Sequence, residues 1–216
     1  DIGFQNAGFK IIYANELNKH ACATYRENLG DHVHETDIYN ELEKLSSFKG
    51  VDCVFGGPPC QGFSVAGKMD LNDERSHLVK IFMSAVEIIR PKMFVMENVK
   101  GLATLSKFSQ VRLELFKIAR KLGYSVDLAL LNSKEFGVPQ ARERMFFVGL
   151  LDRSKFMLAD YTKQHNKPEI STREAIKHLG RQGTDTNPQT CKAEVTLAAN
   201  PVLRRSPYAG MIFNGL

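Results

Sequence analysis

VDCVFGGPPCQGFS, residues Val51 to Ser64, is the stretch on which the reading of this chain turns. Its first half is a short apolar run closed by glycines, the form of a buried strand. Its second half sets Cys60 behind Pro58 and Pro59, with Gly57 and Gly62 on either side. A structural cysteine normally packs inside an apolar element as a small hydrophobe. One presented on a stiff Pro-Pro turn after a strand is placed to react, and loop amides, a helix N-terminus or a nearby arginine would raise its thiolate fraction. The competing reading is a buried, inert thiol. Cys22, in a helical pattern, and Cys53, inside the strand, read as core, and Cys191 has no interpretable context.

Outward from this stretch, strand-like runs alternate with helical patterns, which predicts an α/β fold. FKIIYANE reads as a strand ending at Glu16, and Asn18 caps a helix that runs to Leu29 and stops at Gly30. HVHETD is a second strand, ending near Asp37. Ser76 starts a helix with Leu78, Ile81, Phe82, Val86 and Ile89 on its inner side, ended by Pro91. MFVMENV is a strand with polar residues at its C-terminal end. A helix over Ser109–Leu122, stopped by Gly123, precedes the strands YSVDLALL and RMFFVGLL, and STREAIKHL is a short helix further on. Glu16, Asp37, Cys60, Glu97 and Asn98 all fall at strand C-termini, the edge where open α/β sheets bind ligands.

The 216 residues are 43% hydrophobic and 25% charged, an ordinary globular composition. No apolar run approaches a membrane span, and DIGFQNAGFK has neither the basic nor the apolar region of a signal peptide. It begins without Met, as a piece cut from a longer protein would. Four cysteines without paired spacing predict a reduced cytoplasmic setting and no zinc or other metal site. The net charge of +5, mostly from the last third, suits a polyanionic partner.

Glu97 ends an apolar strand, where partial desolvation favours a protonated carboxyl able to donate; the alternative is a helix-capping acid. Glu16 and Asp37 have the placement of acids that bind ribose hydroxyls and adenine edges, or are solvated loop acids. Gln140, Arg142 and Arg144 in QARER have period-two spacing, which turns them to one face of an extended segment and converges two guanidiniums suited to phosphates and base edges. The alternative is a solvated strand end. Asp73, Arg75 and His77 read as loop charges, and Arg204-Arg205 is too short a cluster to define a nucleic-acid site.

In chain order these segments resemble the DNA (cytosine-5)-methyltransferases of bacterial restriction–modification systems. GFQNAGF with Glu16, TDI at Thr36–Ile38, GGPPCQGFS, DERSHL, MENV and QARERMFFVG match successive blocks of that family, and NPVLRRSPYAGMIFNG looks like the start of a target-recognition segment. The resemblance implies a Rossmann-like, S-adenosylmethionine-dependent methyltransferase fold: a mixed, mostly parallel sheet flanked by helices. It implies a catalytic domain over 1–155, a connecting segment over 156–180 and the beginning of a recognition domain over 181–216. The family's first strand would precede Asp1, and the rest of its recognition domain would follow Leu216, so reduced or no activity is expected of these residues alone.

The resemblance also implies roles. Cys60 would attack carbon 6 of a flipped cytosine, Glu97 would act at ring nitrogen 3, Asn98 would position loop and base, Arg144 would hold the base carbonyl, and Arg142 a phosphate or the catalytic loop. Glu16 would take the cofactor ribose, Asp37 the adenine amino group, Leu17 and Ile38 the adenine faces, with Pro59 and Leu78 lining the pocket. Gln61, Ser64, Gln140 and Arg142 would contact DNA. S-adenosylmethionine is the implied cofactor, leaving S-adenosylhomocysteine. The implied partners are double-stranded DNA and a paired restriction endonuclease, with a monomer at the bacterial nucleoid as the expected state. The open alternatives are an RNA cytosine-5 methyltransferase of the DNA-like type and a catalytically idle DNA-binding relative. A Rossmann oxidoreductase would need a GxGxxG that the chain lacks.

Overall fold

The computed structural model describes residues 1–59, 77–151 and 156–177. Cys60, Gln61, Ser64 and the segment 181–216 lie outside them. Two compact units divide the chain. One holds 1–132 and 142–166, and the other holds 133–141 together with the chain from Lys167 onward.

In the first unit, α1 (Ile2–Asn6) precedes β1 (Ala14–Glu16), α2 (Lys19–Leu29), β2 (Val33–Glu35) and β3 (Cys53–Gly56). Then come α3 (His77–Ile89), β4 (Met93–Val99), α4 (Lys100–Thr104), α5 (Ser109–Lys121), β5 (Tyr124–Asn132), β6 (Glu143–Leu151) and α6 (Leu158–Lys163). β1 and β2 pair in parallel with Ala14 opposite Val33. The second sheet has the order β3-β4-β6-β5: β3 and β4 are parallel, while β6 runs antiparallel to both neighbours. This is the expected α/β architecture, a mixed sheet with flanking helices, in which β6 makes the larger sheet less parallel than expected.

β4 alternates strictly, with Phe94, Met96 and Asn98 buried and their neighbours half-buried. That buried face meets Val79, Met83 and Val86 of α3, Leu102 of α4 and Leu115 and Ala119 of α5 in one apolar cluster. Phe94 lies across Gly149 of β6, where a Cβ would come within 2.1 Å of its ring. α3 also packs Ala85 and Ile89 on Leu45 of the 3-10 stretch Leu42–Phe48. Facing two clusters, α3 buries Val79 and Met83 more deeply than the expected Leu78, Ile81 and Phe82, which are half-buried.

FKIIYANE pairs only over Ala14–Glu16, because β2, its one partner among the described residues, is itself three residues long. By contrast MFVMENV is strand throughout, flanked by β3 and β6. Asn18 caps α2 as expected, its side chain accepting from the His20 and Ala21 amides, and Gly30 follows the helix at φ 111°. No described helix is long and apolar enough to cross a membrane.

In the second unit, α7 (Thr172–Ile176) starts at a Ser171–Glu174 capping box. The turn Ser133–Ala141 is tied to the segment after Asn166. Lys167 N donates to Glu135 O at 2.7 Å, and Lys134 pairs with Glu169 at 2.8 Å.

Candidate active site

The alternation of β4 sends Glu97 and Asn98 to opposite faces. Asn98 is 2% exposed on the core side, so its amide needs partners. It has them: Nδ2 donates to the Pro58 carbonyl at 3.2 Å, and Oδ1 accepts from the Val99 amide at 2.8 Å. The turn leading to Cys60 is therefore fastened to β4 two residues before the cysteine. Gly57 passes against the Glu97 carboxylate, where a Cβ would stand 3.3 Å from Oε2. A larger residue there would crowd the acid.

Since β6 runs antiparallel to β4, its beginning lies at the same edge as the end of β4. Val99 is opposite Arg144, which makes Glu97 and Arg144 diagonal neighbours on one face. Arg144 Nε pairs with Glu97 Oε1 at 3.0 Å, with both side chains partly exposed. Arg144 Nη1 also donates to the Glu143 carbonyl at 2.8 Å. The end of an apolar strand predicts partial desolvation of Glu97; among the described residues it meets the Arg144 guanidinium and Gly57.

QARER is not one extended segment. Gln140 belongs to the second unit, where its amide donates to Val138 O at 2.7 Å and its carbonyl accepts from Ser133 Oγ at 2.5 Å. Gly137, at φ 77°, and Pro139 turn the chain there. Arg142 precedes β6 and is exposed, while Arg144 is half-buried on Glu97. Of the two arginines expected on one face, Arg144 is held by Glu97 and Arg142 is exposed just before β6.

Glu16 and Asp37 end or follow the parallel strands β1 and β2. Glu16 Oε1 accepts the Asn18 amide at 2.8 Å, and Asp37 Oδ1 accepts the Tyr39 amide at 3.0 Å. The other oxygen of each accepts nothing from the described residues. Leu17, after Glu16, is 69% exposed, and Ile38, after Asp37, is half-buried. Two acceptors with apolar side chains beside them match the hydroxyl donors of a ribose diol and the amino group and faces of a purine ring, so these residues fit a nucleoside-bearing cofactor. Pro59 is exposed and Leu78 half-buried.

Cys22 is fully buried, and burial pushes its thiol up. Cys53 is pushed up to about 12 by burial, with Asp52 adding to it. Neither is a thiolate near neutral pH. No described residues form a group of His, Cys, Asp and Glu able to hold a metal ion.

The sequence model of the C-5 cytosine-specific DNA methylases matches residues 1–211. The chain belongs to that family. Among curated relatives, the type II methyltransferase M1.HphI of Haemophilus parahaemolyticus is 42% identical over 159 residues, 70% of this chain and 42% of that protein. M.NgoFVII of Neisseria gonorrhoeae is 34% identical over 193 residues, 86% of this chain and 51% of that one. The chain thus spans about half the length of these relatives. A prophage-encoded DNA modification methyltransferase of E. coli superposes with TM-score 0.68 at 27% identity, covering 83% of this chain and 51% of that one. The Dnmt2 methyltransferase of S. pombe, at 22% identity and TM-score 0.61 over 81% of this chain and 53% of that one, shares the fold.

Sequence reasoning did not anticipate three features of this candidate site: the Glu97–Arg144 pair, the Asn98 hold on Pro58, and a second ion pair between Lys100 and Glu143 at 2.7 Å. The available signal was that ENV ends an apolar run while RER begins one, as two antiparallel neighbours would.

Proposed function

We propose that the protein methylates carbon 5 of cytosine in double-stranded DNA, with Cys60 as covalent catalyst and S-adenosylmethionine as donor. The observation that carries this reading is the Asn98–Pro58 bond, which fastens the turn leading to Cys60 to the strand that ends in Glu97. Family membership supplies the reaction class.

Carbon 5 of cytosine is too weak a nucleophile to take a methyl unaided. Addition of the Cys60 thiolate to carbon 6 moves an electron pair toward nitrogen 3 and makes carbon 5 nucleophilic. Glu97, as the acid, gives nitrogen 3 a proton or hydrogen bond that takes up this charge, and Arg144 orients the carboxyl through Oε1. Oε2, beside Gly57, is left for the base. Arg144 also holds the base carbonyl, and Arg142, exposed at the start of β6, meets a phosphate or the loop. Bound S-adenosylmethionine supplies an electrophilic methyl; Glu16, Asp37, Leu17 and Ile38 hold its nucleoside, with Pro59 and Leu78 beside it. After methylation the carbon 5 proton leaves to water, its electron pair expels the Cys60 sulfur as thiolate, and nitrogen 3 returns its proton to Glu97. The cytosine has to leave the stack for this, so the enzyme flips it. Gln61, Ser64 and Gln140 would contact the DNA. We assign catalysis to 1–155 and target recognition to the chain from 181 onward, in a cytoplasmic monomer paired with a restriction endonuclease.

Full-length protein incubated with S-adenosylmethionine and duplex DNA containing 5-fluorocytosine is expected to form an adduct that survives denaturation. Fluorine cannot leave as the proton does, so the thioether persists. Cys60→Ser abolishes the adduct; its persistence in that variant would sink the assignment. Adducts with tRNA and not with DNA would move the substrate to RNA.

A further inference from the structure

Glu143 stands between Arg142 and Arg144, the two arginines assigned to the base and the backbone. Strand alternation turns its carboxylate to the other face of β6 from the Arg144 guanidinium. Lys100 engages it there, Nζ to Oε2 at 2.7 Å. Lys100 directly follows β4 and opens α4. Continuing the Val99–Arg144 register places position 100 across from position 143. Alternation puts this pair on the opposite face from Glu97–Arg144, so two ion pairs close the same strand end from its two sides. α4 gives Lys100 a firm base, since Leu102 is fully buried and Arg112 Nη1 donates to the Leu102 and Leu105 carbonyls at 2.8 and 2.9 Å.

We propose that Lys100 and Glu143 are positioning residues, whose pair holds the β4–β6 end in register and so keeps Arg144 diagonal to Glu97 on the other face. This rests on the methyltransferase reading above. Both side chains are partly exposed, so the pair acts through geometry, and little global stability depends on it.

The test is the single-turnover rate of adduct formation by full-length protein on saturating 5-fluorocytosine duplex DNA. Lys100→Gln and Glu143→Gln are each expected to slow it about two- to fivefold, the span of an exposed ion pair. Lys100→Arg keeps the rate, and the swap Lys100→Glu with Glu143→Lys restores it. Single variants at the wild-type rate, or a swap as slow as both defects combined, overturn the proposal. Amide hydrogen exchange over 97–99 and 143–146 in the same variants reads the strand end directly. Exchange faster in Lys100→Gln supports the clamp, and unchanged exchange overturns it. Absence of any wild-type adduct would refute the methyltransferase reading, and the exchange data would still decide the clamp.

Discussion

The two sheets carry their polar strand ends in different ways. At the end of β4, Glu97, Asn98 and Arg144 are held by partners tens of residues away, across strands and onto the Cys60 turn. At the ends of β1 and β2, Glu16 and Asp37 bind amides only two residues on. The first arrangement exists only when β3, β4 and β6 are in register. The second is built locally and leaves an acceptor on each carboxylate for a ligand. Preorganised groups of the first kind suit charge that develops during reaction, and open acceptors of the second suit ground-state binding.

That difference predicts a split in kinetics. Glu97→Ala is expected to lower the rate at saturating substrates by about 10²–10⁴-fold, as loss of a positioned acid does, with cofactor affinity retained. Asp37→Ala is expected to weaken cofactor binding about tenfold, as loss of one hydrogen bond to a charged group does, with the saturated rate retained. Cofactor binding by calorimetry and single-turnover methylation measure the two. If Asp37→Ala lowered the saturated rate as far as Glu97→Ala, the contrast between the sheets would fail.

Next in size is the packing that keeps the four-stranded sheet in register. Gly149→Ala places a methyl 2.1 Å from the ring of fully buried Phe94. Overpacking of this kind costs about 1–3 kcal/mol. The expected result is a lower Tm, partly recovered by Phe94→Leu, with Asp37-side cofactor contacts unchanged. An unchanged Tm would mean that Phe94 can rotate away freely, and the register would then rest on something other than this contact.

The same contrast explains what the sequence could tell. The strand MFVMENV, the Asn18 cap, the stop at Gly30 and the Ser171 helix start are local patterns, and each was legible in its own residues. The placement of Glu16 and Asp37 at strand ends was legible too, but their bonds to the Asn18 and Tyr39 amides were not. The Glu97–Arg144 pair joins residues brought together only by the antiparallel placement of β6, which periodicity does not encode. QARER misled because its spacing mimics a strand, while Gly137 and Pro139 just before it turn the chain.

The smallest expected effect concerns what fastens β1 and β2 to the rest. Tyr13, just before β1, donates its hydroxyl to buried Glu41 at 3.3 Å, and Lys44 grips the other Glu41 oxygen at 2.7 Å. Burial pushes the Tyr13 phenol up from 10.0 to about 12, and the Glu41 charge adds to it. A phenol raised in the folded state contributes stability that is complete below pH 10 and is lost as pH rises toward 12. Lys44 first, then Tyr13, hold the Glu41 carboxyl below its usual 4.5 against the cost of burial. Its contribution is therefore present above that value and is lost as pH falls below it. Urea midpoints of wild type and Tyr13→Phe should differ at pH 8 and converge between pH 10 and 12, because only the wild type has this proton to lose. A constant gap across that window would show that the hydroxyl contributes through packing alone, and that the polar anchor of the smaller sheet does not titrate with Tyr13.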